Sequence, residues 1–80
     1  MTRIVWSEPA RADVRRLDKS IVMRIFATLQ RFAETGDGDV KALRGRDELR
    51  LSIADYRLFF VATADGIEVR RVLHRREAYR

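Results

Sequence analysis

The stretch Leu49-Arg50-Leu51-Ser52-Ile53-Ala54-Asp55-Tyr56-Arg57-Leu58-Phe59-Phe60-Val61-Ala62-Thr63 reads as two strands joined by a tight turn. Leu49, Leu51 and Ile53 alternate with Arg50 and Ser52, the two-residue period of a strand half buried against a core. Tyr56 to Thr63 is apolar on both faces except at Arg57. With Ala54-Asp55 as a two-residue turn, Ile53 pairs with Tyr56, Ser52 with Arg57, Leu51 with Leu58 and Arg50 with Phe59. Leu49, Leu51, Ile53, Tyr56, Leu58 and Phe60 then share one face, which must be the core face. The opposite face carries Arg50, Ser52, Arg57 and Phe59, a concentration of guanidinium charge away from the core.

Downstream, Ala64-Asp65-Gly66 is a hairpin signal, and a third strand runs from Ile67 to about Leu73. An Asp65-Gly66 turn places Glu68 opposite Thr63, Arg70 opposite Val61, Val72 opposite Phe59 and His74 opposite Arg57. Arg50, Arg57 and His74 converge in that register. It has one defect, since Arg71 falls on the core face between Val69 and Leu73. A bulge near Arg70 and Arg71, or an edge position from which Arg71 reaches solvent, removes the conflict and can shift His74 by one residue.

Upstream, Arg3-Ile4-Val5-Trp6 is a β-prone run with Trp6 expected in the core, and Ser7-Glu8-Pro9 supplies a capping hydroxyl and a proline for a first helical turn. Ala10, Val14, Leu17 and Ile21 follow at helical spacing. Asp18 or Ser20 can cap a second helix, whose stripe Ile21, Val22, Ile25, Phe26, Leu29, Phe32 and Ala33 ends at Thr35-Gly36-Asp37-Gly38. The order is β-α-α-β-β-β. The expected architecture is α+β, with an N-terminal strand and a two-helix hairpin packed on one face of a mostly antiparallel sheet.

Composition narrows the class. A chain of 80 residues with 46% apolar and 36% charged residues is expected to fold as one globular domain over residues 1–80. It has no cysteine, hence no disulfide framework and no thiolate zinc site. Met1 to Glu8 lacks the pattern of a signal peptide and no apolar run approaches membrane-spanning length, so a cytoplasmic protein with no membrane partner is expected. The acidic residues Asp37, Asp39, Asp47, Glu48, Asp55 and Asp65 lack the spacing of a metal-ligand set, and no metal or other cofactor is expected.

The net charge is +5, and 15 of the 17 basic residues are Arg, the side chain suited to bidentate phosphate contact. Residues 41–80 hold 10 basic and 6 acidic groups, so the surplus lies in the second half. A polyanionic partner is expected there. Lys41, Arg44 and Arg46 flank a glycine before the sheet and suit an RNA backbone or a solvated loop equally. The tail His74-Arg75-Arg76-Glu77-Ala78-Tyr79-Arg80 has the composition of a phosphate clamp with a stacking ring.

Lys41-Ala42-Leu43-Arg44-Gly45, then Leu49-Arg50-Leu51 and Asp55-Tyr56-Arg57-Leu58, then Val72-Leu73-His74-Arg75-Arg76-Glu77-Ala78-Tyr79-Arg80, resemble the RelE toxin family in order over nearly the whole chain. The resemblance implies a RelE-like fold and the toxin of a type II toxin-antitoxin system. It implies metal-independent cleavage of messenger RNA in the decoding site of the 70S ribosome, and inhibition by a small acidic, RelB-like antitoxin. By the same resemblance Arg57 is the arginine on the scissile phosphate, Arg75 a second transition-state arginine and Tyr79 the residue that stacks on and orients the substrate. Arg50 and Glu48 stand where the family has lysines, so the general base is left open.

Metal-free cleavage needs a group to take the 2′-hydroxyl proton, charge to stabilise the phosphorane and a donor to the leaving oxygen. Arg57 and Arg75 suit the charge, and Arg50, whose guanidinium does not deprotonate, suits an electrostatic clamp. His74 is a candidate for proton transfer, or a structural residue at the strand end, and Tyr79 a candidate donor. Arg76 and Arg80, with Lys41, Arg44 and Arg46, are the expected RNA-binding residues. Two other readings stand beside this one: a ParE-like toxin that binds DNA gyrase without nuclease activity, and a non-catalytic basic nucleic-acid-binding module.

Overall fold

The structure is a computed structural model that describes residues 2–78. Strand β1 (Arg3–Trp6) leads into helices α1 (Glu8–Arg15) and α2 (Lys19–Thr35). Strands β2 (Asp39–Ala42), β3 (Leu49–Ile53), β4 (Tyr56–Thr63) and β5 (Gly66–His74) follow, and a short helix α3 (Arg75–Ala78) closes the order. The five strands form one sheet in the order β1-β5-β4-β3-β2, with β1 parallel to β5 and every other pair antiparallel. The α+β class and the helical hairpin are as expected. The strand β2 and the helix α3 are additional, each only four residues long, too short to present a period that sequence alone reveals.

Local chemistry explains the helices. Ser7 caps α1 by accepting the Ala10 N–H at 3.3 Å, with Pro9 in the first turn where its missing N–H costs nothing. Asp18 is the residue before α2 and its carbonyl accepts the Val22 N–H, but its side chain makes no capping bond. Gly36 ends α2 at φ 79°, a left-handed conformation that favours glycine. Ala10, Ile25 and Leu29 of the helices meet Leu51, Ile53, Leu58, Phe60, Ile67, Val69 and Val72 of the sheet in one buried cluster. Phe26 was expected in the apolar stripe but is 44% exposed, at the stripe's margin, where its ring packs edge-on against Trp6 at 5.2 Å.

The β3–β4 pairing follows the predicted register at every position. The β4–β5 pairing does not. Thr63 pairs with Gly66, so the tight turn is Ala64-Asp65 and Asp65-Gly66 is not its centre. Gly66 is demanded by its other neighbour, because a Cβ there would collide with the Arg3 backbone of β1. Further along, Phe60 pairs with Val69 but Phe59 with Arg71, which leaves Arg70 as the extra residue of a bulge. The bulge returns Val72 to the core and moves Arg71 off it.

Beyond Trp6, β1 no longer covers the edge of β5, and α1 takes over. The Ser7 N–H donates to the Val69 carbonyl at 3.0 Å and its hydroxyl to the Arg70 carbonyl at 2.9 Å. Asp13, only 3% exposed, then accepts the Val72 N–H at 2.8 Å. The same carboxylate receives Arg71 Nε at 2.8 Å, Arg71 Nη2 at 3.0 Å and Arg16 Nη2 at 3.4 Å. Burial alone would raise the Asp13 pKa. The bonds from Arg71 and Val72 and the charges of Arg71 and Arg16 outweigh it and hold the carboxyl below its ordinary value of 3.8.

Asp13→Ala strands the Val72 N–H and is expected to cost about 1–3 kcal/mol in urea unfolding. Because the folded pKa is depressed, the ionised carboxylate contributes in full above the unfolded value and its contribution is lost as pH falls through the folded one. The stability gap between wild type and Asp13→Asn should therefore narrow as pH is lowered from about 5 to about 3. Gly66→Ala should lower stability by about 1–3 kcal/mol through the clash with β1, measured as a fall in the denaturation midpoint.

Candidate nucleic-acid interface on the uncovered sheet face

Cross-strand partners share a face, so the register defines what the uncovered face presents. Lys41 pairs with Arg50, Arg50 with Phe59 and Phe59 with Arg71, giving one transverse row over β2, β3, β4 and β5. Neighbours in such a row stand about 5 Å apart, so three cations and a phenyl ring cross roughly 15 Å of sheet. The next row is Asp39, Ser52, Arg57 and Leu73. A groove of about 550 Å³ lies over Arg50, Phe59 and Arg71 of the first row and reaches Leu73 of the second. Arg50, Phe59, Arg71 and Leu73 line it from the sheet, Arg44, Arg46 and Glu48 from the β2–β3 loop, and Ala78 from α3.

Two of the expected arginines meet at the Ala54-Asp55 turn. Arg57 Nη1 donates to the carbonyls of Ala54 at 3.0 Å and Tyr56 at 2.9 Å. The Arg75 N–H donates to the Asp55 carbonyl at 2.7 Å, and Arg75 Nε lies 3.8 Å from the Asp55 carboxylate. The turn requires Ala54 at φ 52°, a left-handed conformation that costs a non-glycine residue about 1–2 kcal/mol. One strained turn thus ties the start of α3 to the arginine end of β4.

His74 does not join them. The bulge pairs it with Tyr56, on the helix-covered side, and sets Leu73 opposite Arg57. The His74 ring meets Tyr56 edge-on at 5.3 Å, and its Nδ1 accepts the Arg76 N–H at 3.2 Å in the first turn of α3. The predicted convergence of Arg50, Arg57 and His74 is therefore corrected to Arg50 and Arg57 alone, since one bulged residue reverses the facing of everything after it. Arg44, Arg46 and Lys41 lie on or beside the groove, and Arg76 is exposed on α3. Tyr79 and Arg80 lie outside the described residues.

Two charged groove residues were not singled out as site residues from sequence. Arg71 was read as a conflict in the core, and only the bulge shows it to be a groove residue held by Asp13. Its pairing with Asp13 raises its pKa against the opposing effect of burial, so its charge is secure. Glu48 was read only as standing where the resembling family has a lysine. It is half-buried in the groove wall, 3.9 Å from Arg46 Nη1, and is the one carboxylate lining the groove among the described residues. Among the described residues no cluster of His, Asp and Glu is arranged to hold a metal ion, and no helix is long and apolar enough to cross a membrane.

Comparison with known proteins gives this geometry a context. No curated protein sequence matches. A chain of the RelB-RelE antitoxin-toxin complex from Methanococcus jannaschii shares the fold with a TM-score of 0.78 at 22% identity, over 94% of both chains. A chain of the heterotetrameric YoeB-YefM toxin-antitoxin complex from Staphylococcus aureus matches at 0.71 and 20% identity, over 89% of this chain and 93% of that one. A chain of the RelBE2 complex from Mycobacterium tuberculosis matches at 0.62 and 20% identity, over 91% and 96%. The family described as the ParE toxin of type II toxin-antitoxin systems matches residues 4–79. With nearly its whole length inside that match, the chain belongs to the ParE toxin family, within the RelE/ParE superfamily of type II toxin-antitoxin toxins.

Proposed function

We propose that this toxin is a metal-independent endoribonuclease that cuts messenger RNA on the 70S ribosome in the cytoplasm and so arrests translation. The observation that carries the reading is the row Lys41-Arg50-Phe59-Arg71 beside the paired arginines of the Ala54-Asp55 turn, on the face that the helices leave open. In this reading the 2′-hydroxyl attacks the adjacent phosphorus and gives its proton to Glu48. Arg57 and Arg75 stabilise the charge that builds on the phosphorane oxygens, and Arg50 clamps the phosphate. The bond to the 5′-oxygen breaks, Tyr79 supplies its proton, and the products are a cyclic 2′,3′-phosphate and a free 5′-hydroxyl.

Arg44, Arg46, Arg76 and Arg80 grip the flanking backbone. His74, whose Nδ1 caps α3, has a structural role and no proton-transfer role. A second reading is a ParE-type toxin that binds DNA gyrase and cuts nothing. It is favoured by the same placement of His74 against Tyr56, which leaves the basic face without an imidazole among the described residues. Because the similar folds come from complexes of toxin with antitoxin, a small acidic, RelB-like antitoxin is assigned as the partner that silences the basic face.

Primer extension on messenger RNA from a translation reaction separates the two readings. Cuts within translated codons are expected from the wild type, with Glu48→Gln, Arg57→Ala and Arg75→Ala each folded and at least about 100-fold slower. His74→Gln should keep most of the activity. Intact message together with inhibited supercoiling would replace the nuclease reading by the gyrase one. Expressed alone the toxin should stop bacterial growth, and co-purified with an adjacent acidic partner it should not cut RNA. Harmless expression without any neighbour that binds at micromolar concentration would remove the toxin from both readings.

A further inference from the structure

Phe59 occupies an unusual position. The helices cover the other side of the sheet, where Phe60, the next residue, is 1% exposed in the core. Phe59 instead lies half-buried in the groove, with Arg50 its partner on one side and Arg71 on the other. A phenyl ring set one strand spacing from each of two guanidinium-bearing neighbours offers a flat apolar face between two phosphate ligands. Arg71 is not a loose cation. Asp13 takes its Nε and Nη2, which fixes the plane of the guanidinium while leaving the side chain 46% exposed at the groove. Lys41 extends the row beyond Arg50.

We propose that Phe59 is a base-stacking seat for single-stranded RNA, with Arg50 and Arg71 holding the phosphates on either side and Asp13 acting as the positioning residue for Arg71. The inference rests on the ribonuclease reading and gives it a substrate form, an unpaired nucleotide whose base leaves its neighbours to lie on the ring. Every base has a π-face, so the seat confers affinity for unstacked strands with little choice among bases. A duplex, whose bases are already stacked, cannot use it.

The test is binding of a short single-stranded RNA with one 2-aminopurine, against the same strand annealed to its complement. The wild type should bind the single strand and raise the emission of the fluorescent base as it leaves its stacked neighbours. Phe59→Leu, which keeps an apolar strand residue, should lose both the rise in emission and about 10- to 100-fold in affinity, with duplex binding unchanged. Phe59→Trp should restore single-strand affinity. It also reports independently if the leucine variant does not fold, because its added indole emission should be quenched by the single strand and not by the duplex. Equal affinity and an equal rise in emission in Phe59→Leu, or no quenching of the added indole in Phe59→Trp, overturns the seat while leaving the basic-face reading in place. A wild type that binds neither RNA overturns the ribonuclease reading and the seat together.

Discussion

The sheet depends on what happens where β1 stops. Its strand ends at Trp6 while β5 continues to His74, so the outer edge of β5 would expose backbone donors and acceptors beside the core. Ser7 and Asp13 satisfy that edge from the turn into α1 and from α1 itself, and Asp13 does so as a buried charge. A carboxylate so placed is tolerable only because three donor groups converge on it. One of them, Arg71, belongs to the uncovered face. The helix layer, the sheet edge and the groove are therefore joined through a single residue, and the geometry of the groove is set partly from the other side of the sheet.

Much of this was legible in the sequence, for reasons that can be named. The alternation from Leu49 to Phe60 across a two-residue turn admits only one register that buries the apolar set, and that register is the one found. The stripe of α2 and the Ser7-Glu8-Pro9 start of α1 are likewise local signals with tertiary consequences. The β4–β5 register was misread because Asp65-Gly66 carries two signals at once. The glycine looks like turn chemistry, yet it is a strand residue kept small by the approach of Arg3 from β1. A contact between residues 3 and 66 leaves no local trace.

The placement of the candidate residues was legible to the same degree and failed at the same place. Arg50 and Arg57 share the open face because their register is local. His74 was placed wrongly because its facing depends on a bulge several residues earlier, and Arg71 was missed because the partner that explains it lies 58 residues away. The sequence did record the strain: an arginine between Val69 and Leu73 on an apparent core face is a contradiction that a bulge resolves. Glu48 carried no signal beyond its sign. Its relevance comes from the β2–β3 loop, which sets it into the groove wall.

The bulge at Arg70 also gives β5 a tolerance for length that most strands lack. Residues before it are in one phase with the sheet and residues after it in the other. Replacing Arg70 by another side chain leaves that phase intact, and deleting it would leave Val69, Arg71 and Val72 opposite Phe60, Phe59 and Leu58 in unbroken alternation, with Arg71 still outward and Val72 still inward. Across related chains, this position should accept many residue types and also a one-residue gap. The freedom is in count as well as in chemistry, and it lies in the strand that leads directly into the arginine tail.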